Sequence, residues 1–292
     1  MRPKLIVGII GAGRVGAVLG AALARAGYPV AAVAAVSAAS AERARRLLPQ
    51  AAIRPPDQVA AAADLLLLAV PDDALAGLVT GLVEAGAIRP GQLVAHTSGA
   101  HGLAVLAPAS AIKARPLALH PAMTFTGTAD DLLRLPGASF GVTAPAALRR
   151  TAKKLVTALG GTVEWIDEAA RPLYHAALAH GANHLVTLVN EAADRLRDAG
   201  VRHPDQVLAP LLSAALANAL RLGDGALTGP VARGDAGTVS KHLAVLPPES
   251  AAPYLALARR TADRAIAAGR LRPLDAGPLL DVLADPEKVE QR

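Results

Sequence analysis

The stretch that decides the fold lies at residues 4–16 and reads Lys-Leu-Ile-Val-Gly-Ile-Ile-Gly-Ala-Gly-Arg-Val-Gly. Residues 5–10 are an apolar run of the kind that a parallel strand carries when both of its faces are buried. Gly11, Gly13 and Gly16 follow in the spacing G-x-G-x-x-G, and apolar residues then recur at helical spacing. The sequence therefore predicts a strand, a glycine-rich turn and a helix, in that order.

This order of elements is typical of a dinucleotide-binding site. The first glycine permits the tight turn, the second lets the backbone approach a pyrophosphate, and the third lets the helix pack closely against the strand. The N–H groups at the start of the helix then point toward the phosphates. We expect the cofactor to contact Gly11, Gly13, Arg14, Val15 and Gly16.

A secretory signal is the alternative explanation of the same start, with Arg2 and Lys4 as its basic region. A signal peptide ends at a cleavage site, whereas this pattern continues as an amphipathic helix to residue 27. The chain also shows no apolar run near the ~18–20 residues of a membrane helix. We therefore expect a soluble, cytoplasmic protein without a membrane partner.

The residues after the second apolar run indicate which dinucleotide is bound. A domain specific for NAD usually places an acidic residue there to bind the ribose hydroxyls. Here Ser37, Ser40 and Arg43 follow instead, and hydroxyl and guanidinium groups suit a 2′-phosphate. The alternative is that Arg43 belongs only to a solvated helix face. The sequence favours NADP, with NAD as the second choice.

The composition excludes several classes of function. The 292 residues include no cysteine, which rules out thiol catalysis, disulfides and cysteine-bound zinc. The net charge is +6, yet the basic residues are spread along the chain and aromatic residues make up only 2%. We therefore expect no nucleic-acid partner. Hydrophobic residues reach 52%, so the core must be built largely from Ala, Val and Leu.

Short apolar runs alternate with helical stretches over residues 1–166 and predict a doubly wound, mostly parallel sheet of the α/β Rossmann class. The runs lie at residues 5–10, 30–36, 65–70, 93–96, 117–120, 140–143 and 162–166. Beyond them helices are predicted at residues 170–199, 204–222, 235–246, 253–269 and 278–283. We therefore place a Rossmann-like domain at 1–166 and an all-α domain at 167–292, with a polar tail from Asp285 that we expect to fray.

Ligands of an open α/β sheet bind beyond the carboxyl ends of its strands. The residues that follow these ends are predicted contacts of the cofactor at Val70, Pro71, Asp72 and Thr97, and of the substrate at Ser98. For Asp72 and Asp73 the alternative is capping of the next helix. His96 and His120 each end a strand, and we expect His120 beside the nicotinamide. A histidine in this position is otherwise a hydrogen-bonded core residue.

A polar stripe marks the helix predicted across residues 174–191, which is apolar enough to be buried. His180, Asn183 and His184 recur there at three- and four-residue spacing, and His175 lies on a nearby line. Buried polar groups need partners, and a substrate or structural hydrogen bonds at an interface would supply them. A histidine can deliver a proton at neutral pH. His180 and His184 have the spacing of a metal pair, but without a third ligand nearby we expect no metal.

The loop at residues 226–235 reads Ala-Leu-Thr-Gly-Pro-Val-Ala-Arg-Gly-Asp and connects two predicted helices. Arg233 can hold a substrate carboxylate in a fork-shaped pair. Asp235 is a candidate N-cap of the following helix. The alternative for the whole segment is an ordinary interhelical turn.

These segments together resemble a bacterial family of oxidoreductases, predicted as such from sequence, that pair an N-terminal Rossmann-like domain with a helical domain of unknown function. The resemblance covers nearly the whole chain. It rests on Gly-Ala-Gly-Arg-Val-Gly at 11–16, Val-Pro-Asp-Asp at 70–73, His-Thr-Ser-Gly at 96–99, His-Pro-Ala-Met-Thr-Phe at 120–125, Tyr-His-Ala-Ala at 174–177, Ala-Asn-His at 182–184 and Leu-Thr-Gly-Pro-Val-Ala-Arg-Gly-Asp at 227–235.

The family is similar to the 6-phosphogluconate-dehydrogenase-like superfamily, which includes ketopantoate reductases, pyrroline-carboxylate reductases and hydroxyisobutyrate dehydrogenases. The resemblance implies an all-α C-terminal domain, a substrate cleft between the domains and a homodimer formed through the helical domain. In the hydroxy-acid members a catalytic lysine precedes an asparagine on the first helix of the second domain. Asn183 resembles that asparagine, whereas the lysine is absent and His180 stands nearby.

The resulting hypothesis is an NADPH-dependent reductase of a small 2-oxo acid, with ketopantoate as the first substrate to test. His180 is the first candidate for protonating the alkoxide, with His120 and His175 as the others. Asn183 would orient the carbonyl, while the predicted substrate contacts are Ser98, His184 and Arg233. Two alternatives stay open: reduction of a cyclic imine such as pyrroline-carboxylate, and an NADP-binding sensor without catalysis.

Overall fold

The computed structural model describes residues 4–284, so the tail from Asp285 and the basic residue Arg2 lie outside the described residues. Contacts between residues divide the chain into two compact units. The first unit ends at Asn183 and the second begins at His184. Each unit has its own hydrophobic core and is described separately below.

The first unit contains one eight-stranded sheet in the order β3-β2-β1-β4-β5-β6-β7-β8. Its strands are β1 Val7–Ile10, β2 Val30–Ala34, β3 Ala52–Ile53, β4 Leu65–Leu68, β5 Leu93–His96, β6 Arg115–Pro121, β7 Ser139–Thr143 and β8 Thr162–Trp165. All neighbouring pairs are parallel except β6 and β7, which are antiparallel. The predicted doubly wound, mostly parallel sheet is therefore confirmed.

The seven predicted strands are all present, and the sequence analysis missed β3. This strand has two residues, Ala52 and Ile53, and both are exposed on the edge of the sheet. So short and exposed a strand carries neither a continuous apolar run nor a repeated alternation, which are the signals that identify a strand. The central strands show the opposite pattern, because every residue of β1 and β4 is buried.

Helices cover both faces of this sheet. They are α1 Arg14–Arg25, α2 Ala38–Leu47, α3 Pro56–Ala61, α4 Asp72–Glu84, α5 Ala107–Ala111, α6 Asp131–Arg134, α7 Arg149–Ala158 and α8 Arg171–Leu178. Small residues allow close packing of α1, since a Cβ atom added at Gly20 would collide with the side chain of Ile9 in β1. Close contacts of this kind replace the large aromatic side chains that the sequence lacks.

The second unit is helical throughout its described residues, as the sequence predicts. Its helices are α9 His184–Asp198, α10 Pro204–Leu222, α11 Gly229–Ala232, α12 Ala236–Val245, α13 Pro248–Ala267 and α14 Pro273–Ala284. The predicted bounds of α10 are matched at both ends. Its core includes Val239, Ala262 and Leu279, which are fully buried. No strand follows Trp165 between residues 166 and 284. We keep residue 167 as the proposed start of the helical domain.

One stretch among the described residues, Pro204–Ala232, is long and apolar enough to cross a membrane by length and composition. No membrane-spanning stretch was predicted from the sequence, because the prediction required an unbroken apolar run. This stretch instead contains polar residues and reaches a mean hydropathy of 1.2. A single such helix is weak support for a membrane span. In the 18-residue window that meets this criterion, only 6% of the residues are buried.

Candidate active site

The glycine turn joins β1 to α1 in the geometry that the motif predicts. Gly11 has φ +101°, a left-handed backbone that favours glycine. A Cβ atom at Gly16 would collide with the carbonyl oxygen of Gly11, so the third glycine lets the helix start close to the turn. At Gly13 an added Cβ atom would meet nothing within 4 Å and would enter open space. The backbone there is open to a ligand at the N-terminal end of α1.

The corner after β2 contains the residues predicted to bind a 2′-phosphate. Ser37 and Ser40 form a capping box at the start of α2, which gives both hydroxyls a structural role. Arg43 reaches back and donates from Nη1 to the carbonyl oxygen of Ala12, at 3.2 Å. Its Nε is buried and has no hydrogen-bond partner among the described residues. Buried donors are normally paired, so Arg43 suits an anion bound beside the glycine turn.

A first cleft of about 400 Å³ opens above the ends of β1, β4 and β5. It is lined by Gly13, Arg14, Val15, Ala69, Val70, Pro71, Asp72, Thr97, Ser98, Gly99, His120 and His175. The structure thus brings together seven of the residues predicted to contact the cofactor. Asp72 and Asp73 lie in the first turn of α4, whose N-cap is Pro71, and neither caps the helix through its side chain.

A second cleft of about 410 Å³ meets the first. The two share Arg14, Val15, His120 and His175. The rest of the second cleft is mainly apolar and is lined by Ala122, Met123, Thr124, Phe125, Leu178, Ala179, Ala182 and Asn183. His120 and His175 therefore stand where a dinucleotide cleft and an apolar cleft meet.

His120 is held by a tyrosine. Its Nδ1 lies 2.9 Å from the phenol oxygen of Tyr174, and its ring packs edge-on against those of Tyr174 and His175. The position where Gly99 would carry a Cβ atom is 3.0 Å from Nε2 of His120. Burial, followed by the nearby His175 and Arg171, lowers the pKa of His120 to about 4. The imidazole is therefore neutral at pH 7.

Arg171 is fully buried beneath this histidine. Its Nε donates to the hydroxyl of Thr143 at 2.9 Å. The two Nη groups donate to the carbonyl oxygens of Ser98 and Gly99, which follow β5, of Ala118 in β6 and of Gly141 in β7. All five described hydrogen bonds end on neutral oxygens, and the Glu168 carboxylate acts on the guanidinium electrostatically. Burial lowers the pKa of Arg171 from its usual value.

His96 is the core residue that the alternative interpretation describes. It is fully buried, its Nε2 lies 2.7 Å from the carbonyl oxygen of Gly102, and its Nδ1 accepts from the N–H of Ser98. These two bonds fix the Nε2–H tautomer and hold the turn that follows β5. Burial lowers the pKa of His96 to about 4. The segment after this turn is bound by Glu168, whose carboxylate accepts hydrogen bonds from the N–H groups of Leu103 and Ala104.

The polar stripe predicted on a buried helix lies instead on an exposed one. None of the residues of α9 is buried, and neither is any residue of the π-helical segment Ala179–Asn183 that precedes it. The apolar side chains Leu185, Val186 and Leu188 of α9 are all exposed. A π-helical turn changes which side chains share a face, and such turns are frequent at functional sites. Asn183 lines the second cleft, whereas His180 lies in the same turn and is exposed.

Two predicted substrate residues belong to the second unit. His184 is the first residue of α9, and Arg233 is exposed at the end of α11. Their contact with a substrate stays a prediction. The side chain of Asp235 accepts from the N–H of Thr238, which confirms it as the N-cap of α12.

The sequence analysis missed two residues of the site. Tyr174 opens one of the segments that carry the family resemblance, and that signal could have identified it. Arg171 gave no signal, because only its position in the fold brings its guanidinium to the backbone oxygens of Ser98, Ala118 and Gly141. Among described residues no group of three or more His, Cys, Asp or Glu side chains could hold a metal ion.

Structures with this fold come from several enzymes. A protein from Bacteroides fragilis named "putative NADP oxidoreductase" is 24% identical, with a TM-score of 0.77 over 89% of this chain and 99% of that one. A pyrroline-5-carboxylate reductase from Coxiella burnetii is 15% identical, with a TM-score of 0.56 over 98% of each chain. A reductive aminase from Aspergillus terreus in complex with NADPH is 19% identical, with a TM-score of 0.60 over 96% of this chain and 93% of that one.

The family comparison agrees with the fold. No curated protein matches the sequence significantly. A Rossmann-like domain matches residues 1–121, and the domain of unknown function DUF2520 matches residues 138–261. The chain thus combines an N-terminal Rossmann-like domain with a C-terminal DUF2520 domain, as the resemblance in its sequence predicts.

Proposed function

We propose that the protein is an NADPH-dependent reductase of a carbonyl or imine group. The observation that carries this proposal is the meeting of two clefts at His120. One cleft contains the glycine turn and the α1 N-terminus, which suit a pyrophosphate. The other is mainly apolar and can hold a small organic substrate. A reacting atom placed at their junction would face a histidine that can supply a proton.

NADPH is favoured over NADH by the corner after β2. Arg43 offers a buried donor without a partner among residues 4–284, and no acidic residue follows β2 to bind ribose hydroxyls. Two proteins of the same fold support this choice through their names, which mention NADP or NADPH. Ser37 and Ser40 would contribute through the N-terminus of α2 that they cap.

The proposed substrate is a small 2-oxo acid with an apolar body. Met123, Phe125 and Leu178 supply apolar surface, and Arg14 is the cation that lines both clefts. Asn183 would orient the carbonyl oxygen. Ketopantoate combines a 2-oxo acid with a branched apolar body, and it stays the first substrate to test. The second candidate is a cyclic imine, because a pyrroline-5-carboxylate reductase shares the fold and the lysine of the hydroxy-acid members is absent.

The protein's own residues would position the substrate and protonate it. NADPH, when bound, supplies the hydride. We assign protonation of the substrate oxygen to His120 rather than His180, because Nε2 of His120 lies beside the Gly99 turn that lines the first cleft. His175 packs against His120 and borders both clefts, so it would help to position the substrate. His180, His184 and Arg233 stay candidates for contacts with the substrate.

The test is oxidation of NADPH, followed by absorbance, with a panel of 2-oxo acids and cyclic imines. We expect turnover with at least one branched 2-oxo acid, and a lower rate with NADH at equal concentration. Turnover restricted to cyclic imines would select the second candidate. Tight NADPH binding without turnover of any panel member would contradict the reductase proposal and favour a sensor.

We also propose that the protein is a homodimer formed through its helical domain. Leucines on α9 and α10 are exposed in the single chain, including Leu185, Leu211, Leu216 and Leu220 at 39, 62, 52 and 81% of their full accessibility. A contiguous apolar surface of this kind usually marks an interface. Sedimentation velocity should give the mass of two chains, and exchange of Leu216 and Leu220 for glutamate should give the mass of one. A monomer in the unaltered protein would contradict the proposal.

A further inference from the structure

The contact between His120 and Tyr174 has a consequence for how a proton reaches the substrate. We propose that Tyr174 and His120 form a two-proton relay, in which the phenol protonates Nδ1 of His120 as Nε2–H protonates the substrate. This inference rests on the proposed reductase function and adds a second catalytic group to it. Tyr174 acts through His120, and Arg171 is the positioning residue, which bonds the backbone oxygens of Ala118 and Gly141 and lies over the Tyr174 ring.

The relay requires the phenol to be the donor in its contact with Nδ1 of His120. The phenol oxygen lies 2.9 Å from Nδ1 of His120 and also shares a hydrogen bond with the backbone of Gly141. When the phenol donates to Nδ1, the ring proton must sit on Nε2, the nitrogen beside the Gly99 turn of the first cleft. The neutral imidazole then presents a donor to the substrate oxygen.

A neutral histidine that donates its proton needs a second acid to protonate its other ring nitrogen. At pH 7 His120 is uncharged, because burial lowers its pKa to about 4. If it gave up Nε2–H alone, it would become an imidazolate, which is a very strong base. A simultaneous transfer from Tyr174 to Nδ1 keeps the ring neutral throughout. The proton is thus drawn from the phenol, and Tyr is among the side chains that act as general acids.

Arg171 supplies the charge that this transfer requires. The carbon of its guanidinium lies 5.9 Å from the centroid of the Tyr174 ring, and its described hydrogen bonds end on neutral oxygens. A buried cation without a hydrogen-bonded carboxylate stabilises a phenolate and opposes an imidazolium. The pKa of Tyr174 is raised overall, because burial outweighs the opposite effects of Arg171 and of the Gly141 hydrogen bond.

The proposed step balances in protons and electrons. When hydride adds to the carbonyl carbon, the π electron pair moves to oxygen. That oxygen takes the proton of Nε2, and Nδ1 takes the proton of the Tyr174 phenol. Nδ1 then returns its proton to the phenolate while Nε2 takes a proton from water, which restores the phenol and the first tautomer of the histidine. An alkoxide is a much stronger base than a phenolate, so the overall transfer is favourable.

Two glycines leave room for the relay. A Cβ atom at Gly141 would lie 2.5 Å from the phenol oxygen of Tyr174. A Cβ atom at Gly99 would lie 2.5 Å from Cδ2 of His175 and 3.0 Å from Nε2 of His120. The two distances of 2.5 Å are too short for a real side chain. The backbone at these two positions thus comes close to the three aromatic rings of the site.

The second unit supplies a matched control for the experiment. His242 and Tyr254 form a pair with the same Nδ1-to-phenol distance of 2.9 Å and the same edge-on packing of the rings. Tyr174→Phe should lower kcat by about 10²-fold with little change in KM, whereas Tyr254→Phe should leave kcat unchanged. In mixtures of H₂O and D₂O, kcat should show two protons in flight in the unaltered enzyme and one in Tyr174→Phe. Full activity of Tyr174→Phe, or one proton in both enzymes, would overturn the relay.

A second measurement needs no substrate and separates the relay from the proposed function. The ¹⁵N shifts of the His120 ring, recorded on the protein alone, should show the Nε2–H tautomer at pH 7 and protonation only near pH 4. In Tyr174→Phe the preference for this tautomer should be lost. An Nδ1–H tautomer, or a charged ring at pH 6, would overturn the relay even if the protein reduces a 2-oxo acid. Absent turnover together with the expected shifts would instead count against the proposed function.

Discussion

His120→Gln is expected to lower kcat by about 10³-fold while NADPH binding changes less than about twofold. Glutamine can still donate a hydrogen bond to the substrate oxygen, but it cannot pass on a proton, and general acid catalysis contributes about 10²–10⁴-fold. The measurements are steady-state kinetics and the change in NADPH fluorescence on binding. His242→Gln in the second unit removes a histidine with the same tyrosine contact, and it should retain full activity. Equal losses in both variants would point to damage to folding rather than to chemistry.

The pH dependence of kcat/KM shows whether the neutral or the charged form of His120 is active. If neutral His120 is the active form, kcat/KM should be level between about pH 5 and 8 and should fall as the pH drops toward 4, where the ring becomes charged. If an imidazolium were the acid, kcat/KM would fall as the pH rises past the pKa, so that activity would already be low at pH 7. The value of kcat/KM therefore falls toward low pH in the first case and toward high pH in the second.

The contrast between Arg171 and the two neutral histidines explains why the site can work with uncharged acids. His96 and His120 end neighbouring strands, and Arg171 donates to backbone carbonyl oxygens around both. Its charge helps to lower the pKa of each, after burial. Breaking such a buried network is costly, which makes Arg171 a poor choice for a test of catalysis alone. Tyr174 offers the cleaner variant, because the change to Phe keeps the ring and removes one hydroxyl.

Most of the fold was accessible from sequence because its signals are local. The apolar runs of β1 and β4 and the glycines at 11, 13 and 16 lie within short windows of the chain. The contact of His120 with Tyr174 joins residues 54 positions apart, and that of Arg171 with Ser98 joins residues 73 apart. Periodicity and spacing carry no information about such contacts, so the relay could not be predicted from sequence alone.

The polar stripe at residues 174–191 shows a different limit. Helical spacing was correctly recognised there, but a regular helix was assumed throughout. The π-helical turn Ala179–Asn183 breaks the 3.6-residue period, so side chains that regular spacing would align diverge. Asn183 lines the second cleft, as its predicted role requires. His180, the first proton donor predicted from the sequence, lies in the same turn and is exposed.

Gly13→Ala is expected to weaken NADPH binding about 100-fold without unfolding the protein. The new Cβ atom would meet no protein atom within 4 Å, and the backbone at φ −67° suits any residue. We therefore expect the free energy of unfolding to change by less than about 1 kcal/mol. The methyl group would project into the first cleft, where a pyrophosphate must approach the backbone closely. Loss of two hydrogen bonds to a charged phosphate, at about 1.5 kcal/mol each, corresponds to roughly a 100-fold loss of affinity.

Gly16→Ala is the matched variant, because it adds the same methyl group three residues further on. There the Cβ atom would collide with the carbonyl oxygen of Gly11 and would lie 2.9 Å from Cβ of Ala69. Overpacking of this kind costs about 1–3 kcal/mol, so the variant should melt at a lower temperature even without cofactor. Thermal unfolding with and without NADPH separates the two effects: Gly13→Ala should lose the stabilisation by NADPH, and Gly16→Ala should lose stability in the protein alone. Unaltered NADPH affinity in Gly13→Ala would exclude the glycine turn as the pyrophosphate site, because no other explanation would leave a methyl group in that cleft without effect.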